Sequence, residues 1–169
     1  MRSAVALLLL TLSSTAVADG YQPSQFRAYG GPIAFAGSDI WGFGGTLAFQ
    51  WYPEKHRVFF FGPRAAFLGG ALTGYNGVGG FVDLELGIRP RLVASDRNAF
   101  AAILSASVGP AYLSCFCETQ FWVVHVSARA GVGFDASAFT MNATGGIAVL
   151  GNAGALAAAE VILDLGVRF

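Results

Sequence analysis

From about residue 25 to the C-terminus, apolar and polar residues alternate with period two in segments of roughly ten residues. Period two puts successive side chains on opposite faces of an extended strand, and no stretch shows the 3.6-residue recurrence of a helix. The last segment is the clearest. Val161, Leu163, Leu165, Val167 and Phe169 share one face, and Glu160, Ile162, Asp164, Gly166 and Arg168 share the other. Working back, strands are predicted near Phe139–Val149, Phe121–Phe134, Phe100–Tyr112, Phe81–Leu92, Val58–Leu68, Phe43–Tyr52 and Gln25–Ala36, about eight in all. Thr140, Asn142 and Thr144 mark the polar face of the seventh, and Trp122, Val124, Val126 and Val132 the apolar face of the sixth. Proline cannot donate to a ladder, so Gly30-Gly31-Pro32 predicts a bulge or kink and Gly62-Pro63 a bulge. Two kinds of connection alternate. Pro53 to Arg57, Ala94 to Asn98 and Asp135 to Ser137 read as tight turns. Gly37 to Gly42, Gly69 to Gly80, Ser114 to Gln120 and Leu150 to Ala155 read as mostly Gly-rich loops.

Composition decides what solvent these strands face. The chain has 169 residues, 54% of them hydrophobic and only 12% charged, with formal net charge zero. An average globular domain carries about 25% charged residues, so this one lacks the charge to coat a surface in water. Beyond the N-terminal segment no run approaches the ~18 apolar residues of a membrane helix. In hydrocarbon every backbone polar group must be paired internally, which leaves a closed barrel as the spanning structure. The expected fold is therefore all-β, an antiparallel up-and-down transmembrane β-barrel of about eight strands. A soluble lipocalin-like barrel is the structural alternative, disfavoured because the polar faces are mostly Gly, Ala, Ser and Thr.

The N-terminus agrees with export. Arg2, an apolar run from Ala4 to Leu10, and Ala16-Val17-Ala18 ahead of Asp19 have the order of a secretory signal peptide. Residues 1–18 are expected to be removed and 19–169 to form one barrel domain. An even strand count with both termini inside puts the tight turns in the periplasm and the Gly-rich loops outside. Aromatic residues then form two belts, as membrane interfaces require. Trp51, Tyr52, Phe59, Phe60, Phe61, Phe100, Phe134, Phe139 and Phe169 fall at the periplasmic rim, and Trp41, Phe43, Tyr112, Phe121 and Trp122 at the outer rim.

Apolar faces toward lipid send Arg64, Asp83, Glu85, Arg89, His125, Ser127, Arg129, Glu160, Asp164 and Arg168 inward. Opposed residues of a hairpin have a constant sum, which sets Arg64 against Asp83, Ser105 against Arg129 and Asn142 against Asp164. An eight-stranded barrel is just wide enough to be filled by side chains, and buried charges must be paired. These residues are expected to form a polar network plugging the lumen. The balanced charge offers no basic patch for nucleic acid. Cys115-Phe116-Cys117 lacks a second ligand pair for zinc; a local disulfide and two free thiols both remain open. His56 reads as a surface residue in a charged turn.

Ending on an aromatic, with Val161, Leu163, Leu165 and Val167 at alternate positions before Phe169, resembles the C-terminal signal of bacterial outer-membrane proteins. That resemblance implies recognition by the barrel-assembly machinery. Separately, His125-Val126-Ser127 is similar to the His-x-Ser of the lipid A deacylases. In that family His and Ser act with a Glu from a neighbouring strand; here His125 and Ser127 would take the first two roles and Glu160 the third. The match departs at Ala128, where the family has Asn, and one hairpin intervenes before the C-terminus. Turning the pair outward would also expose Arg129 to lipid, at about 2–4 kcal/mol at midplane.

Over the whole of residues 19–169 the chain resembles the small eight-stranded barrels of the OmpA/OmpX type. The resemblance implies a structural or interaction role in the bacterial outer membrane, without cofactor or metal. It implies a monomer in contact with outer-membrane lipid and lipopolysaccharide. Lipid A deacylation and a narrow channel are the alternative functions.

Overall fold

Period-two alternation and enrichment in Val, Phe, Leu and Ala favour extended chain, and every long alternating segment is a strand. The computed structural model describes residues 25–53, 58–72, 75–95, 97–115, 120–151 and 155–169. Residues 1–18, His56 and Cys117, to which the expected signal peptide and two of the side-chain readings refer, lie outside the described residues. The strands are β1 (Phe26–Ala36), β2 (Ile40–Trp51), β3 (Phe59–Leu72), β4 (Tyr75–Ile88), β5 (Arg91–Ala94), β6 (Asn98–Cys115), β7 (Gln120–Ala136), β8 (Phe139–Gly151) and β9 (Ala155–Arg168).

Except for β4 and β5, neighbours in the sequence pair antiparallel, β1 pairs with β9, and β4 pairs with β6. The sheet is thereby closed into an eight-stave barrel. The short β5 is the continuation of β4 beyond Arg89-Pro90. It pairs with the start of β6 through a register shift between Arg91 and Val93. The expected single strand from Phe81 to Leu92 is broken there because Pro90 has no N–H to give.

Several expected loops are strand. Gly69–Leu72 and Tyr75–Gly80 are paired up to Leu72↔Tyr75, so the predicted Gly69 to Gly80 loop is largely a hairpin. Glycine weakens an isolated strand, but Gly77, Gly79 and Gly80 are held between β3 and β6 on both sides. Asp135 is likewise not in a turn. It pairs with Thr140 inside the β7–β8 ladder, and the turn falls at Ser137, whose φ is 53°.

The register can be followed once around the barrel. Phe26 pairs with Trp51, then the path runs through Phe61, Leu86, Ala106, Ala128, Ile147 and Ala159, and returns to β1 at Ala36. The displacement from residue 26 to residue 36 is a shear of ten residues. With ordinary strand rise and spacing, that shear tilts the strands by about 40° and gives a barrel radius of roughly 8 Å. The lumen of such a barrel holds side chains and little else.

Alternation then sorts the residues by face. Phe43, Leu47, Leu84, Leu104, Ile147 and Leu163 are each at least half exposed, and charged side chains lie buried inside. Tyr52 and Phe60, expected in the periplasmic belt, are 1% and 2% exposed and close one end of the lumen with Ile103. Their neighbours Trp51, Phe59 and Phe61 do face outward. The period puts only every second aromatic of Phe59-Phe60-Phe61 on the outside.

Neither Gly31-Pro32 nor Gly62-Pro63 is a bulge. The β2–β3 ladder lacks two pairs, opposite Gly62 and Pro63, yet Ala48↔Arg64 and Trp51↔Phe61 keep the same register on either side. The β1–β9 ladder is interrupted in the same way at Gly31-Pro32, and the β4–β6 ladder at Gly109-Pro110. In each gap the carbonyl oxygen opposite the proline, from Phe49, Leu163 or Val82, takes the space a side chain on the glycine would need. The missing pairs are thus lost without an extra residue in either strand. Gly62→Val is expected to abolish recovery of the folded barrel. Refolding yield, read as the heat-sensitive band in a detergent gel, checks this; a wild-type yield would show that the backbone there can yield.

Candidate functional site: a charged lumen

Between two apolar ends the lumen carries three layers of polar contacts. The layer nearest the termini centres on Asp135 of β7. Arg27 of β1 grips its two carboxylate oxygens at 2.7 and 3.0 Å, Arg89 donates to it at 2.9 Å, and Thr140 donates at 2.7 Å. Arg27 also stacks over the Tyr52 ring, 4.8 Å from its centroid. Arg89 donates to the hydroxyl of Tyr29 and to the side-chain carbonyl of Asn142.

The middle layer is a chain of alternating charge. Arg64 of β3 binds both oxygens of Asp164 on β9, at 3.3 and 2.9 Å, and donates to Glu85 on β4 at 3.2 Å. Arg129 of β7 donates to Glu85 at 2.7 Å and to Glu160 on β9 at 3.4 Å. Glu85 is therefore shared by two guanidiniums, and Gln50 also donates to it at 3.3 Å. Paired, charge-assisted bonds of this kind are what make burial of so many charges tolerable.

The third layer contains His125 of β7. Its Nδ1 lies 2.7 Å from Asp83, and Ser107 donates to the same carboxylate oxygen at 2.6 Å. Ser127 is hydrogen-bonded to Ser107 at 3.0 Å. The imidazole stacks on Phe81 with ring centroids 4.1 Å apart and meets the edge of Phe35. His125 and Glu160 are 0% exposed and Ser127 is 2% exposed. A His–Ser–Glu relay is not assembled. His125 is held by Asp83, Ser127 by Ser107, and Glu160 by Arg129. Alternation turns positions 125, 127 and 129 together into the lumen, where inward side chains of neighbouring strands engage each of them separately.

Arg64↔Asp83, Ser105↔Arg129 and Asn142↔Asp164 are register neighbours, as the hairpin arithmetic requires. Register neighbours are not the ion pairs, however: Arg64 reaches past Asp83 to Glu85 and across the lumen to Asp164. Arg168 lies toward the rim, 3.9 Å from Asp135, and its Nε donates to the Ser137 carbonyl. Sequence reasoning missed Arg27, Gln50 and Asp135. Arg27 and Gln50 sit at inner positions of their strands, so a complete count of alternate positions would have found them; Asp135 was hidden by its turn-like neighbours. Val161, Leu163, Leu165, Val167 and Phe169 all face outward.

At the Gly-rich-loop end Phe35, Phe81 and Leu150 form an apolar cluster that continues down the wall to Ile33 and to Ile162, which sits between Glu160 and Asp164 on β9. Tyr52, Phe60 and Ile103 form an apolar cluster at the other end.

No family profile matches this sequence, and no curated protein sequence matches it. Solved structures do. The chain is similar to Neisserial surface protein A, with 9% identity, a TM-score of 0.64, and 88% of this chain and all of the other covered. It is similar over the same shares to Ail, the attachment invasion locus protein of Yersinia pestis, with 14% identity and a TM-score of 0.56. Closed eight-stave topology and these likenesses together give the chain the fold of the small eight-stranded outer-membrane β-barrels.

Proposed function

We propose that this protein is exported by its N-terminal segment and spans the bacterial outer membrane as a monomeric barrel with a structural or interaction role in the envelope. One observation carries the reading: the molecule is inverted relative to a protein in water. Large apolar side chains are exposed all round the exterior, while Arg27, Arg64, Arg89 and Arg129 are buried with their carboxylates. Only a hydrocarbon surround makes that exterior favourable. Lipid and lipopolysaccharide are then the surrounding partners, and the outward face ending at Phe169 is the segment offered to the assembly machinery. The charged layers serve as a filling that holds eight strands in one register.

The test is reconstitution into lipid vesicles and a planar bilayer. The expected result is a band that shifts on boiling, together with no steady conductance. A protein that stays soluble and monomeric without detergent would sink the membrane reading, and a stable open current would sink the plugged lumen.

A further inference from the structure

At the Gly-rich-loop end the lumen is not filled. Phe35 and Phe81 form a floor, and Ile40, Leu68, Leu113 and Leu150 form walls, around about 530 Å3 of empty space that includes an open mouth. The hollow exists because the inward positions of adjacent strands carry no side chain at Gly42, Gly70 and Gly79. Its lining is almost wholly apolar, so water inside would find few partners, and such cavities stay dry or take apolar guests. The nearest polar group below, His125, is screened from it by the Phe81 ring stacked on the imidazole.

We propose that this hollow binds a single alkyl chain, entering end-on from the loop side. Two features of the same wall favour a hydrocarbon tail over another guest. The hollow lies behind Trp41 and Phe43, which are 58% and 64% exposed on the outer surface at the same height. On the membrane reading such aromatic belts lie at the interface, which sets the hollow at the height of the outer interface. Among the described residues no charged side chain lines it, so a head group finds no ionic partner there and stays at the mouth. The inference rests on the membrane reading above, and the source of the chain is either a bilayer lipid or a free amphiphile.

Gly42 is the position to probe. A Cβ built there meets its nearest atoms at 3.6 and 3.9 Å, which is ordinary contact, and it points into the hollow. The experiment is NMR on the full mature barrel, methyl-protonated at Ile, Leu and Val, in nanodiscs. One arm uses nanodiscs of chain-protonated lipid alone; the other uses chain-deuterated lipid with added protonated dodecanoic acid. Chain-to-methyl contacts at Leu68, Leu113 and Leu150 are expected in at least one arm, which names the source. They should fall at least tenfold in Gly42→Leu, and again in Leu150→Phe at the remaining leucines. Gly45→Ala, on the outer face outside the hollow with its nearest atom 4.0 Å from the added carbon, should leave them unchanged. Outward methyls of Leu47, Leu84 and Leu163 report insertion independently. Lipid contacts at those methyls with none at the inward ones in either arm would overturn the proposal while leaving the membrane reading intact. Absence of lipid contacts at the outward methyls would remove the membrane reading and this inference with it. Inward contacts unchanged in both filling variants would also overturn it.

Discussion

Glu85→Ala is expected to lower the unfolding free energy of the barrel by about 3–5 kcal/mol, the usual cost of removing one partner from a buried ionic network. Glu85 accepts from Arg64, Arg129 and Gln50, so its loss leaves two buried guanidiniums with one carboxylate each. The same logic separates removal from replacement. Exchanging a whole buried ionic group for apolar residues of similar volume is often neutral or stabilising, whereas truncating one member is not. A cycle of Glu85→Ala with Arg129→Ala should be strongly non-additive because the two side chains are in contact. Urea unfolding in lipid vesicles, followed by tryptophan fluorescence, measures both. A loss under about 1 kcal/mol for Glu85→Ala, well below that range, would mean that the lumen admits water and that the layers are not sealed.

The second large effect belongs to the outer wall. Leu84 is 55% exposed and pairs with Pro63 and Val108 near the middle of their strands, whereas Phe139 is 69% exposed as the first residue of β8. Arginine on a lipid-facing strand costs about 2–4 kcal/mol at midplane and roughly 0–1 kcal/mol near the interface. Leu84→Arg should therefore destabilise the barrel in vesicles strongly and Phe139→Arg barely. On a water-facing wall both changes would be close to neutral, so the difference between them is the informative quantity. Equal, small effects would place the exterior outside hydrocarbon.

Much of this molecule is legible from its pattern. The alternation Val161, Leu163, Leu165, Val167, Phe169 identifies a strand and its outer face without any tertiary information. The same period sends Arg64, Asp83, Glu85 and Arg129 to one wall, and hairpin arithmetic aligns neighbouring strands. It fails where local chemistry imitates something else. Glycines at 77, 79 and 80 look like a loop but are carried as strand by neighbours on both sides. Asp135 sits among turn residues yet is drawn in by Arg27 and Arg89. His125-Val126-Ser127 has the spacing of a catalytic pair, but spacing does not say what else reaches each side chain; Asp83 and Ser107 do.

The division has a physical cause. Where alternation is unbroken, strand existence, facing and hairpin register depend on residues close in sequence, and the chain's pattern and composition determined those by themselves. Closure is different. The pairing of β1 with β9 and the shear of ten residues follow from fitting all eight staves into one cylinder. Only that closure brings Arg64 to Asp164 and Arg27 to Asp135, 100 and 108 residues away along the chain. Which acid answers which base, and where glycine leaves the lumen empty, was decided by the tertiary structure because distances across a barrel are set by its radius and tilt, not by any local period.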